Sequence, residues 1–274
     1  MDKLDRLVWA TGLSFKCHGL RIGIRVSNGE TMNRVLETLP PGWNPEISPV
    51  VDRLYSFVVG GISPRSRARR FNLLYAGPVL LSRTHDTQET LQALESDLRM
   101  YVAERARGKM FVHAGVVAWH GRAIVIPGRS YSGKSTLVAA LVRAGATYYS
   151  DEYAVFDSHG HVHPYPVPLQ IRTEPDGPGQ KLDIEMHGGS VGKGPLPVGA
   201  IVVTRYEPGA GWRPRLASPG QGVLALLANT VAARRRPAQA LRRFSLVAAT
   251  APVYRGTRGE ADEVARSLLS KEVI

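Results

Sequence analysis

The sequence holds one cysteine, Cys17, in 274 residues. That excludes an internal disulfide, and with no CxxC pair or Cys/His cluster it offers no zinc-site spacing. Such sparing use of cysteine fits a reducing compartment. Long apolar runs are also missing, since none approaches the roughly 18 residues needed to span a bilayer. The opening MDKLDRLVWATGLSF mixes acids with bases and lacks the continuous apolar core of a signal peptide. These absences read as a cytoplasmic protein without a membrane partner. There are no internal repeats and no low-complexity tract. Acids are in short supply: 23 Asp and Glu face 35 Lys and Arg, leaving a net charge of +12. Such a balance favours anionic partners, whether nucleotides, acidic peptides or nucleic acid. From Ile201 onward 12 basic residues face 5 acidic ones, so the surplus concentrates at the carboxyl end. Arg67, Arg69, Arg70 and the run Arg234 to Arg236 read most simply as solvated faces, because a charge run alone is no specific signal.

The 43% of hydrophobic residues is ample for a core. In the first half, SFKCHG and LRIGIRV predict a hairpin turning at His18-Gly19, and SNGETMNRVLETLPPG predicts a capped helix stopped by Pro40-Pro41-Gly42. Strands are expected at LYSFVVGG, RRFNLLYAG and PVLLSRT, with a Gly/Ser/Arg turn before the second. Leu91, Leu94, Leu98, Tyr101 and Val102 recur at helical spacing, predicting a helix over Thr87 to Arg107 that ends at Gly108. A domain boundary is placed near residue 105. The second half opens with the apolar runs MFVHAGVVAW and RAIVIPG, joined by turn chemistry at His120-Gly121. A Gly-rich loop follows, then a helix ended by Gly145, then TYYSDEYAVFD, which holds two strands. This strand, loop, helix, strand order is a βαβ pattern, which places a ligand at the carboxyl ends of the strands. Glu174 to Pro197 carries six glycines and four prolines in 24 residues and cannot be regular throughout. Beyond it AIVVTRYEPG reads as a buried strand, GVLALLANTVAARRR and PAQALRRFSLVAAT as helices, APVYRG as a short strand, and GEADEVARSLLSKEVI as a last helix with acids in its first turn.

Gly128, Arg129, Ser130, Tyr131, Ser132, Gly133, Lys134 and Ser135 match GxxxxGK[ST], and Thr136 continues the loop into the helix. In such a loop backbone N–H groups converge on phosphate oxygens, the helix offers its positive end, and the lysine reaches the outer phosphates. The hydroxyl of Ser135 is then placed for Mg²⁺. A strand directly before the loop and a helix directly after give the context the motif requires. Asp151 and Glu152 stand at a strand end 17 and 18 residues after Lys134. Two adjacent carboxylates suit a division of labour, one toward the metal and one accepting a hydroxyl proton.

The segment HAGVVAWHGRAIVIPGRSYSGKSTLVAALVRAGATYYSDE resembles the catalytic core of the HPr serine kinases and the wider HPr-kinase-like group. His113, Gly128, Ser130, Gly133, Lys134, Ser135, Arg143, Gly145 and Asp151 fall in register with that family without a gap. About forty residues match closely and the rest of the second half loosely. The resemblance implies an ATP- and Mg²⁺-dependent kinase acting on a serine hydroxyl. Lys134 and Ser135 would hold phosphate and metal, His113 would sit near the transferring phosphoryl group, and Asp151 or Glu152 would act as base, with metal contacts from Ser135, Asp151 and Glu152. Glu152 stands where the family has a second Asp, and Ser132-Gly133 only partly keeps the family's Gly-x-Gly spacing. The family's later signature, an acid followed by Ile/Val-Arg-Gly, has no clean counterpart; Glu174 and Glu185 lie nearby but out of register. HPr as substrate and the reverse reaction are therefore not carried over. The first half looks like the variable leader half of stand-alone relatives that phosphorylate a peptide serine.

The resulting expectation is an α/β protein. A P-loop kinase domain over 106–274, with a mixed central sheet flanked by helices, follows a smaller α+β domain over 1–105 that recognises substrate. ATP and Mg²⁺ are the expected cofactors, a serine-bearing peptide or protein is the partner, and a natural-product precursor peptide fits that class. A homo-oligomer is compatible, and nucleic acid is not expected. Arg172 or an arginine of the basic carboxyl region would serve the transition state. The alternative is a nucleotide-binding regulatory or nucleic-acid-associated P-loop NTPase.

Overall fold

A computed structural model describes residues 7–62, 69–128, 132–171, 180–182, 184 and 189–270. The chain forms two compact units, Met1–Arg107 and Gly108–Ile274. It is an α/β protein with mixed sheets and, among the described residues, six helices.

The first unit contains β1 (Thr11–Cys17), β2 (Leu20–Val26), α1 (Thr31–Leu36), β3 (Trp43–Pro45), β4 (Arg53–Val58), β5 (Gly61–Ile62), β6 (Arg69–Arg70), β7 (Asn72–Ala76), β8 (Val79–Thr84) and α2 (Thr87–Arg105). Its main sheet runs β3-β1-β2-β4-β7-β8, with β2 and β4 parallel and the other neighbours antiparallel. The predicted hairpin turn holds His18 at φ 45° and Gly19 at φ 83°, between the paired Cys17 and Leu20. A two-residue turn with both residues at positive φ matches the twist of the strands it joins. The helix starts where Asp86 accepts a hydrogen bond from the Gln88 N–H at 2.7 Å, a cap for an otherwise orphan donor. It buries Leu91, Leu94, Leu98 and Val102, the residues whose spacing predicted it.

The second unit contains β9 (Met110–Trp119), β10 (Arg122–Pro127), α3 (Lys134–Arg143), β11 (Thr147–Ser150), β12 (Tyr153–Phe156), β13 (Val162–His163), β14 (Leu169–Ile171), β15 (Gln180–Leu182), β16 (Val198–Tyr206), β17 (Arg215–Ala217), α4 (Pro219–Ala228), α5 (Pro237–Thr250), β18 (Val253–Arg258) and α6 (Ala261–Leu269). Its sheet runs β13-β12-β9-β10-β16-β18-β17, and β11 also pairs with β9. The strands β10, β16 and β18 are parallel, while β9 runs against β10, β11 and β12. Alternation along the central strands splits two cores. Val112, Ala114, Val116, Ala123 and Val125 pack with Val223, Leu226, Ala240 and Phe244 of α4 and α5. On the other side Val117, Ile124 and Ile126 pack with Leu137, Val138, Leu141, Val264 and Leu268 of α3 and α6. Among the described residues no helix is long and apolar enough to cross a membrane.

Three expectations change. The strands before and after α3 are parallel but not neighbours, because β9 lies between them and pairs with both. The helix read as GVLALLANTVAARRR stops at Ala228, since Asn229 and Val231 hydrogen-bond to the backbone of His113 and Phe111. These residues complete the β9 backbone beyond the reach of β10, which a continuing helix could not do. Arg234, Arg235 and Arg236 consequently lie in turns. The first-unit helix ends at Arg105 rather than Arg107, because Ala106 leaves the helical conformation at φ −43° and ψ 135°. Of the Gly/Pro-rich stretch, the described residues include β15, which pairs with β14, and the buried Ile184.

Candidate functional site

The site is built where β10 gives way to α3. The strand is buried from Ala123 to Pro127, and Gly128 donates its N–H to the His113 carbonyl at 3.1 Å. A side chain at Gly128 would stand 2.8 Å from Ser132 Oγ and 3.4 Å from Lys134 Cδ, so only glycine leaves room for the turn. Arg129, Ser130 and Tyr131 lie outside the described residues. Gly133 adopts the left-handed conformation at φ 77°, which favours glycine, and its carbonyl accepts the first helical bond from Leu137. The helix that follows is held close to β9, because Gly115 offers no Cβ where Val138 packs; one built there would lie 2.5 Å from Val138 Cγ2.

Lys134 and Ser135 open α3, Thr136 is exposed, and Asp151 and Glu152 form the turn from β11 to β12. That turn is tied from within by the fully buried Ser150, whose Oγ accepts from the N–H groups of Glu152 at 3.2 Å and Tyr153 at 3.0 Å. The Glu152 carbonyl accepts from the Ala114 N–H at 3.3 Å, so β9 carries the acid turn to the loop end of the sheet. His113, also on β9, lies opposite Tyr153 in register and its ring is 4.8 Å from the tyrosine ring. His113, Lys134, Ser135, Asp151 and Glu152 are thereby gathered around the carboxyl end of β10.

The electrostatics are those of charged groups drawn out of water. Burial raises the Asp151 carboxyl to about 6; hydrogen bonds from Ser135 and the Gln170 backbone and the charge of Lys134 oppose that rise, while the Glu152 charge adds to it. One carboxylate oxygen, Oδ1, is buried with no hydrogen-bond partner among the described residues, and so is Ser132 Oγ. Lys134 is pushed down by burial, with Asp151 pulling the other way. His113 is held below its ordinary value by burial and then by the Lys134 charge, so it is neutral at pH 7. Hydroxyl and carboxylate oxygens beside an ammonium form a set suited to a hard cation and phosphate oxygens together.

Arg172, Glu174 and Glu185 lie outside the described residues. His120 sits in its hairpin turn, and His161 and His163 lie beside Asp157, away from the loop. One residue of the site escaped the sequence reading. Arg258, at the end of β18, donates from Nη2 to the Gly133 carbonyl at 2.7 Å and is only 2% exposed. The signal was its position at the carboxyl end of a strand parallel to β10, where ligand-facing residues collect.

The fold and site together define an α/β protein whose lysine-bearing Gly-rich turn joins a sheet strand to a helix beside a buried acid. No family model matches the chain, and no match is found among the curated proteins.

Proposed function

We propose that the second unit is a P-loop phosphotransferase, a kinase that moves the γ-phosphoryl group of ATP to a serine-type hydroxyl of a peptide or protein. The observation that carries this reading is the buried Asp151 carboxylate, one oxygen of which has no hydrogen-bond partner among the described residues, set beside Lys134 and Ser135 at the start of α3. A triphosphate site needs a cation for the outer phosphates and oxygen donors for the metal, and Lys134 would serve as the first and Ser135 and Asp151 as the second.

Mg²⁺ fits the donor set, since Ser135 Oγ is a hard oxygen ligand and Asp151 has a buried oxygen without a partner among the described residues. When bound, the ion would neutralise charge on the β and γ phosphates. Ser135 and Asp151 would hold it. Lys134 draws the phosphate into a partly buried place where its charge is weakly screened. His113, neutral and held by β9, is able to donate one hydrogen bond toward a phosphoryl oxygen. The carboxylate of Asp151 or Glu152 would take the proton of the acceptor hydroxyl. Holding the metal and accepting the proton both need an ionised carboxylate, so transfer is expected to fall as pH drops through about 6.

The test is the fate of the phosphoryl group. With labelled ATP, Mg²⁺ and a panel of serine peptides, label is expected on a peptide. Lys134→Ala and Asp151→Asn each lower transfer by about 10²-fold or more, as loss of transition-state charge stabilisation does, and His113→Ala lowers it less. Release of free phosphate alone, or salt-sensitive binding of nucleic acid without transfer, would instead support the NTPase alternative.

A further inference from the structure

Among the described residues Arg258 is the largest fully buried side chain, and none of them forms an ion pair with it. Nη1 donates to the Gly259 carbonyl at 3.1 Å and Nη2 to the Gly133 carbonyl at 2.7 Å. Nε, equally buried, finds no acceptor among the described residues. No carboxylate there forms an ion pair with the guanidinium, whose Cζ lies 5.3 Å from the centre of the Tyr206 ring. Burial alone lowers its proton affinity, with Tyr206 and Glu260 acting through space in the other direction. A buried cation without a counter-charge is costly, and cores generally avoid it. This one sits directly behind the turn that precedes Lys134. There is no slack in that fit: a Cβ on Gly133 would lie 2.5 Å from Nη2.

We propose that Arg258 is the positioning residue of the phosphate site. By gripping the Gly133 carbonyl it fixes the left-handed turn that aims the start of α3, and the phosphate of a bound nucleotide supplies the counter-charge the fold withholds. The assignment rests on the nucleotide reading given above. It adds a device from the far side of the parallel strands, since β18 is separated from β10 by β16. Arg258 touches the loop backbone and acts through it.

The experiment uses the full chain and isothermal titration with inorganic tripolyphosphate, MgATP and adenosine, together with the unfolding midpoint of the unliganded protein. R258M is expected to weaken tripolyphosphate and MgATP about tenfold or more, the scale of a lost charge-assisted hydrogen bond, and to leave adenosine unchanged. R258K, which keeps the charge but cannot reproduce the two-pronged grip of the guanidinium, recovers only part of that loss. The unliganded midpoint of R258M stays level or rises, because an unpaired buried charge has been removed. A purely structural role would lower that midpoint and weaken all three ligands alike, and that outcome overturns the proposal. Should R258M fail to fold, R258K decides: weaker tripolyphosphate binding at an unchanged midpoint supports the assignment, and wild-type affinity defeats it. Wild-type protein that binds neither MgATP nor tripolyphosphate removes the nucleotide reading and this assignment with it. Wild-type binding matched by R258M removes Arg258 alone.

Discussion

Asp151 carries the heaviest electrostatic load of any single residue at the site. Its carboxyl rises from 3.8 to about 6 because the turn between β11 and β12 buries it. A folded-state value above the unfolded one means that ionisation costs stability. The cost is absent below about pH 4, grows as pH climbs toward 6, and is fully developed above it. Asp151→Asn removes the charge and keeps the shape, so the unliganded variant should be more stable than wild type at pH 8 by on the order of 2 kcal/mol. That gain should vanish near pH 4. Thermal or denaturant unfolding across the pH range reads it directly, and a variant less stable than wild type at pH 8 would sink the argument. His113 carries the opposite prediction. Burial and the Lys134 charge keep it neutral in the free protein, so bound phosphate should raise its pKa. NMR titration of its ring protons with and without MgADP measures the shift; no upward movement would place His113 away from the phosphates.

At the scale of elements, the site depends on how closely α3 can lie against β9. Gly115 sits between them, buried, and a methyl group added there would meet Val138 Cγ2 at 2.5 Å. Gly115→Ala therefore forces the start of α3 outward or strains Val138. The expected cost is about 1 to 3 kcal/mol, typical of overpacking a filled core, together with weaker nucleotide binding because Lys134 and Ser135 travel with the helix. Smaller Val138→Ala in the same background should restore part of both losses in a double-mutant comparison. Additive losses would show that the two positions do not meet. The elements were also where the sequence was most readable. Alternation and turn chemistry gave the β9-β10 hairpin, whose His120-Gly121 turn has both residues at positive φ, and helical spacing gave α2. The insertion of β9 between β10 and β11 left no trace, because strand order is decided by long-range pairing and not by local pattern. The end of α4 was hidden for the same reason: Asn229 and Val231 break a favourable helical run to satisfy the β9 backbone. Of the candidate site, the loop, His113 and the acid pair could be read from residue type and spacing. Arg258 offered only its place at the end of a strand, since the carbonyl it grips lies 125 residues earlier in the chain.

For the molecule as a whole, the division at Arg107 and Gly108 separates two bodies with their own cores. The first is built on Phe15, Ile22, Ile24, Tyr55, Phe57, Leu74, Leu94 and Leu98, all nearly inaccessible. The second contains both core layers of the β10 sheet and all of His113, Lys134, Ser135, Asp151, Glu152 and Arg258. If nucleotide binding belongs to the second body alone, then the fragment Gly108–Ile274 should fold and bind MgATP with an affinity within about threefold of the full chain, a difference below 1 kcal/mol. Under the kinase reading, transfer to a peptide would be a separate matter, because an acceptor as long as a peptide extends beyond the phosphates and needs a second surface. The fragment is therefore expected to keep nucleotide affinity and to lose peptide transfer, with the loss showing as a raised KM for peptide more than a lowered kcat. Titration calorimetry and a peptide kinase assay on the same preparation separate the two. A fragment that phosphorylates peptide as well as the full chain would leave the first body without a part in substrate recognition, and one that folds but binds no MgATP would move part of the nucleotide site into residues 1–107.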